Sequence, residues 1–308
     1  MNLLSLLVVL LLEHFRPLVN RPQIYLQFMR YANFLERQFN AGENRHGLIA
    51  WMLAVLPAAL VVGAMYWVLY QISPVLGLLW NAGILYATMG FKYFSDTTSA
   101  IAKAIKSGNL GEGRSLLAAW RGRPADDLEP NELARVTIEQ ALTCAHRQVF
   151  AIIFWFVLLG AAGASGAVIY RLASILSHKW GEADSPEFGE FGKFAARFFD
   201  WIDWLPARLT AVLFAVVGNF EDAVYCWRSQ ASSWANQAHG IILASGAGAL
   251  GVKLGDPIHH NGVLEFRPEL GLGEEAAPDY MESAVSLIWR ALVLWLVLLG
   301  LLQLGKWV

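Results

Sequence analysis

The stretch from Leu48 to Tyr70 reads LIAWMLAVLPAALVVGAMYWVLY and contains no charged residue. A helix needs about 20 apolar residues to cross a hydrocarbon core of roughly 30 Å, so this stretch is long enough to span a membrane. Its small residues favour close helix packing, and its Trp and Tyr residues are typical of membrane interfaces. The stretch therefore predicts a membrane-spanning helix.

The composition of the whole chain predicts the same class of protein. Of the 308 residues, 56% are hydrophobic and only 16% are charged, which is too apolar for an ordinary soluble domain. The formal net charge of -2 offers no basic stripe, so nucleic acid is excluded as a partner. The two cysteines match no zinc or haem spacing. We expect an all-α, polytopic membrane bundle whose surroundings are the lipid bilayer.

The other candidate membrane segments give this bundle about four to six embedded helices. Residues 3–12 are a weaker candidate, interpreted as a retained first helix because no basic region precedes them and no small-residue cleavage site follows. Residues 205–218 are too short to cross and contain Pro206 and Arg208, so we interpret them as an interfacial or re-entrant helix. The remaining segments that are apolar enough to embed are residues 75–91, 149–170 and 284–304.

The charges between these segments predict an orientation, because short cytoplasmic loops collect Lys and Arg. Residues 13–47 carry five Arg against three acidic residues, and residues 92–147 carry eight basic against seven acidic residues. Both are expected on the cytoplasmic side. Residues 219–283, with three basic and nine acidic residues, are expected on the far side.

Residues 92–147 predict a helical subdomain on the membrane surface. Ser95 or Asp96 can cap a first helix, GNLGEG at 108–113 turns the chain, and Pro130 fits the first turn of a later helix. Elsewhere no sheet pattern stands out. The segments rich in Gly, Pro and Glu that predict loops are 181–198 and 253–283.

Two groups of residues are candidates for chemistry. Glu139 lies four residues after Arg135 and seven before His146, so a helix places them on one face. A carboxylate and an imidazole there can share a metal ion or a proton, and the same spacing also fits a solvated face with an ordinary ion pair. Both interpretations stay open.

The second group surrounds residues 200–208. Asp200 and Asp203 are three residues apart, so a helix presents both carboxylates together with Arg208. Oxygen ligands at this spacing suit Mg²⁺ that keeps several waters, and an Asp–Arg network at the membrane surface fits equally well. Arg171 follows an apolar run and is either an interfacial anchor or a ligand for an anion.

Five stretches, in order, resemble the CobD/CbiB membrane proteins of cobalamin biosynthesis and, more distantly, the AmpE proteins. The most specific segments are PARLTA at 206–211 and GALGV at 248–252. The resemblance spans most of the chain. The matching stretches are LLLEHFRP (10–17), IEQAL (138–142), IFWFVLLGAAGASGAVIYR (153–171), FGKFAARFFDWIDWLPARLTA (191–211) and SGAGALGVKLGDP (245–257).

The resemblance implies a multi-pass enzyme of the bacterial inner membrane that uses ATP and Mg²⁺. The implied reaction joins adenosylcobyric acid, a corrinoid, to aminopropanol or its phosphate through an amide bond. Acidic groups holding Mg²⁺ and arginines binding phosphate would act by positioning and charge stabilisation. The expected site residues are Glu139, Asp200 and Asp203 for catalysis, Arg171, Arg208 and His146 for substrate binding, and Asp200 and Asp203 for the metal.

The chain also departs from the family pattern. Thr143-Cys144 and Arg147-Gln148 stand where the family has Glu-Asn and Asp-Gly, and residues 174–177 replace its Asn-Thr-Leu-Asp. The lost polar groups favour an alternative, a catalytically divergent AmpE-like membrane sensor linked to cell-wall signalling or β-lactamase induction. A homo-oligomer also stays open.

Topology adds a constraint on any site that uses both Glu139 and Arg171. If residues 149–170 cross the membrane once, these two side chains end on opposite faces. The small residues from Gly160 to Gly166 would allow a helix break and a re-entrant path, because irregular backbone is tolerated where protein or water covers it.

Overall fold

The computed structural model describes residues 2–16, 21–40, 42–181, 190–260 and 263–305, which are predominantly helical. The helices are α1 (Asn2–Phe15), α2 (Arg21–Phe39), α3 (Asn44–Ile72), α4 (Pro74–Thr88), α5 (Phe91–Lys106), α6 (Leu110–Arg121), α7 (Pro130–Ala145), α8 (Ala151–Leu158), α9 (Gly163–Leu176), α10 (Lys193–Val217), α11 (Phe220–Gln230), α12 (Gln237–Leu250) and α13 (Pro278–Leu304). The short strands are β1 (Val252–Lys253), β2 (Ile258–His260), β3 (Val263–Glu265) and β4 (Glu274–Glu275).

The chain divides into two compact units, each built from two separate segments. The first unit contains Met1–Gly90 and Arg147–Trp204, and the second contains Phe91–His146 and Leu205–Val308. The sequence analysis treats residues 1–308 as one membrane domain, because hydropathy locates apolar helices without indicating which of them pack together.

Among the described residues, four helical stretches are long and apolar enough to cross a membrane, and α1 is a shorter apolar helix. Much of the apolar surface of α3 is not buried by protein: Leu60, Val61 and Trp67 are 71%, 63% and 64% exposed. Side chains of this kind suit contact with lipid rather than water. The predicted class, an all-α membrane bundle, is confirmed. The four stretches are Asn44–Ile72, Pro74–Lys106, Pro130–Leu158 and Pro278–Leu304.

In the first unit, α3 and α4 form a tight helical hairpin around Ser73. Ser73 is extended, its Oγ accepts a hydrogen bond from the Val75 backbone N–H at 3.3 Å, and Pro74 occupies the first turn of α4. Proline suits this position because the first turn lacks backbone acceptors for its N–H groups. Gly77 then lets α4 approach the stacked rings of Tyr66 and Tyr70 closely.

The segment 149–170 differs from a single crossing helix. α7 continues through a π-helical turn at His146–Phe150 into α8, and the helix ends at Leu158. A short 3₁₀ turn at Gly160–Ala162 follows, in which Gly160 has φ 56°, and α9 then packs back on α8. A Cβ atom on Gly166 would lie 2.7 Å from the Trp155 carbonyl oxygen. The small residues therefore permit the chain to reverse here.

Helix α10 is longer than the segment 205–218 predicts. It is continuous from Lys193 to Val217 with Pro206 inside it, so residues 193–198 are helical rather than loop. Residues 182–189, the middle of that predicted loop, lie outside the described residues. Phe194 and Phe198 stack four residues apart and both contact Trp51 of α3, which explains why the helix begins so early.

In the second unit, α5 and α6 form the predicted helical hairpin. The chain turns at Gly108, which has φ 77°, and Asn109 caps α6 by accepting a hydrogen bond from Glu112 N–H at 3.3 Å. The predicted cap at Ser95 or Asp96 is wrong, because α5 already begins at Phe91. Pro130 begins α7, as predicted.

The predicted loop 253–283 contains more structure than its composition indicates. β1 pairs in parallel with β4, and β2 pairs antiparallel with β3. Helix α13 begins at Pro278, within the predicted loop. Strands of two or three residues are too short to produce an alternating pattern, so the sequence does not reveal them.

Candidate functional site

Glu139 forms a buried ion pair with Arg267 in the second unit. Arg267 Nη1 donates to Glu139 Oε2 at 2.6 Å, and Nη2 donates to Oε1 at 3.2 Å. The two side chains are only 9% and 11% exposed. Such a two-pronged contact between a carboxylate and a guanidinium is strong and directional. It joins α7 to the segment between β3 and β4.

The turn at 255–257 completes this arrangement. Gly255 donates its N–H to Glu139 Oε1 at 2.8 Å, while its carbonyl and that of Asp256 accept from Arg267 at 2.8 and 3.1 Å. Gly255 has φ 72°, and a Cβ atom there would collide with the Pro268 carbonyl oxygen. Only glycine fits this close approach. Both Glu139 oxygens and all three Arg267 nitrogens are therefore engaged.

Arg135 binds the same turn from the preceding turn of α7. Its Nη1 lies 3.0 Å from Asp256 Oδ2, and its Nη2 donates to the Pro257 carbonyl at 2.7 Å. Four-residue spacing predicts an ion pair between Arg135 and Glu139. In the structure, Arg135 pairs with Asp256 instead, and Glu139 pairs with Arg267. We call Glu139, Arg267, Arg135, Asp256 and Gly255 the Glu139 cluster.

Arg121, the last residue of α6, is half-buried and lies within electrostatic range of this cluster. Burial lowers the pKa of its guanidinium. The positive charges of Arg267 and Arg123 lower this pKa further, whereas Glu139 and Glu265 oppose the change. Arg121 forms no ion pair or hydrogen bond with the described part of the chain.

His146 and Arg208 also belong to the second unit. His146 is fully buried at the start of the π-helical turn, and its Nδ1 lies 2.9 Å from Thr210 Oγ1. Arg208 is half-buried on α10, two residues before Thr210. Thr210 of the PARLTA segment therefore forms a buried contact with His146, which the sequence analysis also identifies as a candidate.

The first unit gathers Arg171 and Asp203 around Tyr170. The Tyr170 hydroxyl donates to Asp203 Oδ1 at 2.7 Å, and both residues are buried. The charges of Arg147 and Arg171 both act on Tyr170, and the Arg147 guanidinium lies 5.3 Å from the centre of the Phe199 ring. We call these residues the Tyr170 cluster.

Asp200 and Asp203 do not share an environment, although they are three residues apart. Asp200 is exposed, whereas Asp203 is buried against Tyr170. The described residues also contain no group of three or more His, Cys, Asp or Glu side chains that could hold a metal ion. The magnesium site on this pair therefore stays a prediction.

Replacing Tyr170 by Phe is expected to lower the free energy of unfolding by about 1–3 kcal/mol, since it leaves the buried Asp203 carboxylate without this donor. Denaturation of the purified protein in mixed detergent micelles measures the change. Tyr225→Phe is the matched control, because Tyr225 is exposed on α11. Equal stabilities of the two variants would contradict the assignment of this hydrogen bond.

Sequence reasoning missed several of these charged groups. Arg267 lies in a predicted loop without periodicity, and Arg121 belongs to no motif. A signal for the turn was present in Gly255-Asp256-Pro257, which ends the last stretch resembling the family. Its role depends on contacts between residues more than one hundred positions apart, which residue spacing cannot predict.

The fold and its buried charges define a helical membrane protein with two polar clusters, and comparison with known proteins gives its family. The family model described as "CobD/Cbib protein" matches residues 15–288. Cobalamin biosynthesis protein CobD of Stutzerimonas stutzeri is 36% identical over 300 residues, which is 96% of both chains. The protein of the same name from Chromobacterium violaceum is 36% identical over 246 residues, covering 80% of this chain and 77% of the relative.

The protein of the same name from Yersinia enterocolitica is 29% identical over 273 residues, covering 84% of this chain and 82% of the relative. No solved structure gives a significant match. This chain belongs to the CobD/CbiB family of cobalamin biosynthesis proteins. The names of these relatives lend no support to the AmpE-like alternative.

Proposed function

We propose that this protein catalyses the amide-forming step that its family resemblance implies. ATP transfers a phosphoryl or adenylyl group to the carboxylate of adenosylcobyric acid, and ADP or pyrophosphate is released. The amine of aminopropanol or its phosphate then attacks the activated carbonyl carbon, phosphate or AMP leaves, and the nitrogen loses a proton to give the amide. The observation that carries the proposal is the family match across residues 15–288. Relatives of nearly full coverage that are named for cobalamin biosynthesis support it.

We further propose a multi-pass position in the bacterial inner membrane with residues 92–147 on the cytoplasmic side. The four long apolar helices among the described residues support the multi-pass position, and the excess of basic residues in residues 92–147 supports the orientation. ATP is then available on the side that carries α6 and the beginning of α7. Arg121 and the Glu139 cluster would be within reach of it. Because Glu139 bonds directly to Gly255 and Arg267, this part of residues 219–283 is then proposed to lie on the cytoplasmic side as well, in contrast to the far side that the charge count predicts.

The Glu139 cluster has a positioning role in this proposal. Both oxygens of Glu139 are already bound by Arg267 and Gly255, so this carboxylate holds the turn at 255–257 rather than accepting a proton. Arg121 is the half-buried cation of this region that can receive an anionic substrate. Arg208 is proposed to help bind the substrate, and fully buried His146 is proposed to assist by holding Thr210 two residues further along α10.

In the first unit, Arg171 of the Tyr170 cluster is proposed to contact the corrinoid, and exposed Asp200 is proposed to act near it. Buried Asp203 is proposed to support the site by holding Tyr170. Mg²⁺ would enter with ATP. Mg²⁺ commonly keeps several waters and is held mainly by substrate phosphates, so it needs no protein cage of its own.

Expression of this chain in a bacterial strain that lacks the step is expected to restore growth that depends on corrinoid synthesis. An Arg228→Gln variant, altered at an exposed position on α11, is expected to restore growth equally. Failure of the wild-type chain despite good expression in the membrane would contradict the proposed reaction. Deletion of the gene for this protein from its own host is a second test. If growth that depends on corrinoid synthesis stays normal while the response to β-lactams changes, the AmpE-like alternative is supported.

A further inference from the structure

Helix α2 runs antiparallel to the first half of α3. Four residues separate the end of α2 at Phe39 from the start of α3 at Asn44. Tyr31 lies eight residues before the end of α2, and its hydroxyl donates at 3.1 Å to the Leu53 carbonyl, nine residues after the start of α3. Two antiparallel helices joined by a short turn meet at such nearly equal distances from the turn. α2 therefore lies beside the part of α3 that enters the membrane.

The Tyr31 contact also satisfies a polar group that α3 leaves open. Pro57 lies inside α3 and has no backbone N–H, so the Leu53 carbonyl four residues earlier lacks its usual helical donor. A backbone carbonyl inside a membrane needs a partner, because lipid tails cannot supply one. Tyr31 supplies it from α2. This contact fixes the depth of α2 relative to α3.

The one carboxylate of α2 is neutralised by the protein. Glu36 is the only acidic residue of this helix, and its Oε2 accepts from Lys179 Nζ at 2.6 Å and from Trp180 Nε1 at 3.1 Å. Arg30 and Arg37 are exposed, and neither forms an ion pair or hydrogen bond with the described part of the chain. The outer surface of α2 therefore carries two positive charges without a counter-charge among the described residues.

The same outer surface is also apolar. Ile24, Tyr31 and Phe34 are 50%, 42% and 55% exposed, and their spacing of seven and three residues places them on one side of the helix. Arg30 and Arg37 lie next to this row, because they are four and three residues from Phe34. We call these five residues the α2 outer face. Apolar side chains beside arginines are typical of helices that contact lipid tails and headgroups together.

The depth of the α2 outer face matches the boundary between headgroups and lipid tails. The uncharged part of α3, residues 48–72, is about 37 Å long at 1.5 Å per residue, whereas the hydrocarbon core is roughly 30 Å thick. Pairing of Tyr31 with Leu53 places Arg37 level with the start of this stretch. Arg30 lies about 10 Å deeper. An arginine at that depth extends its charged end toward phosphate groups, because hydrocarbon does not solvate it.

We infer that the α2 outer face binds anionic phospholipids. The two guanidinium groups donate to lipid phosphate oxygens, while Ile24 and Phe34 pack against the acyl chains. A second copy of the chain is a poorer partner, because a symmetric dimer places the same surface of both copies together and brings like charges close. Lipid binding here is independent of the proposed reaction, since no residue of the α2 outer face belongs to the Glu139 cluster or the Tyr170 cluster.

Lipid binding by the purified full-length protein tests this inference. Phosphatidylglycerol, which is anionic, or phosphatidylcholine, which is zwitterionic, is added to the protein in detergent, and bound lipid is counted by native mass spectrometry. The wild type is expected to bind phosphatidylglycerol more tightly. A double variant, Arg30→Gln with Arg37→Gln, is expected to bind it about thirtyfold more weakly, since each arginine near an anionic lipid surface contributes about fivefold.

Two control variants separate the effect of charge from that of structure. Arg30→Lys with Arg37→Lys keeps both charges and is expected to retain the preference for phosphatidylglycerol. Arg228→Gln, at an exposed position on α11, is expected to bind like the wild type. Equal affinity of the wild type and the double Gln variant for phosphatidylglycerol would overturn the inference.

A spin label on Ile24→Cys tests the same surface with both arginines in place. The native Cys144 and Cys226 are buried, so the label reacts selectively at position 24. In vesicles that contain phosphatidylglycerol, the label is expected to be reached by oxygen dissolved in lipid and not by a water-soluble nickel reagent. Access from water would contradict lipid contact. Spin–spin broadening between labels would assign the α2 outer face to a second copy and would also reject the inference.

Discussion

Replacing Arg267 by Met is expected to lower the free energy of unfolding by about 3–5 kcal/mol, because it leaves the buried Glu139 carboxylate without its cation. The replacement removes both hydrogen bonds of the ion pair, which are 2.6 and 3.2 Å long and lie in a site that excludes most water. Denaturation in mixed detergent micelles measures the change. An Arg228→Met control, at an exposed position, is expected to change stability by less than about 0.5 kcal/mol.

The double variant Glu139→Met with Arg267→Met makes this prediction sharper. Removing both charges leaves no uncompensated ion, so the double variant is expected to be more stable than Arg267→Met alone. The comparison isolates the interaction energy between the two side chains. Additive losses from the two single replacements would show that the two side chains do not act as a pair.

Gly255→Ala is expected to cost about 2–6 kcal/mol of folding free energy. An L-residue is strained at φ 72°, and the added Cβ atom collides with the Pro268 carbonyl oxygen. The turn would also withdraw its N–H from Glu139. The same detergent denaturation measures the loss.

Gly111→Ala is the matched control, because a Cβ atom at this helical position meets no atom within 4 Å. It is expected to stabilise the protein by about 0.5–1 kcal/mol, the usual difference between Gly and Ala in a helix. Equal behaviour of the two variants would contradict the close approach at Gly255.

The membrane class was predictable from the sequence because it depends on local composition. The uncharged stretch at 48–70 lies within α3, and the helical hairpin at 92–121 follows from Asn109 and its neighbouring glycines. The start of α10 was not predictable, because it depends on Phe194 and Phe198 packing against Trp51. That contact joins residues far apart in sequence.

The candidate site was predictable only in part. Spacing identified Glu139 as a notable carboxylate but assigned Arg135 as its partner, whereas Arg267 fills that role from a loop without periodicity. Spacing also grouped Asp200 with Asp203, while tertiary packing buries one against Tyr170 and exposes the other. A regular helix fixes which residues are neighbours, and packing decides which of those neighbours are buried.

Incubation of the purified protein with adenosylcobyric acid, ATP, Mg²⁺ and aminopropanol phosphate would decide whether the chain forms the amide. We predict a corrinoid product whose mass exceeds that of the acid by the amine minus one water, formed only when ATP is present. A folded, membrane-extracted protein that yields no such product with either aminopropanol or its phosphate would contradict the proposed reaction.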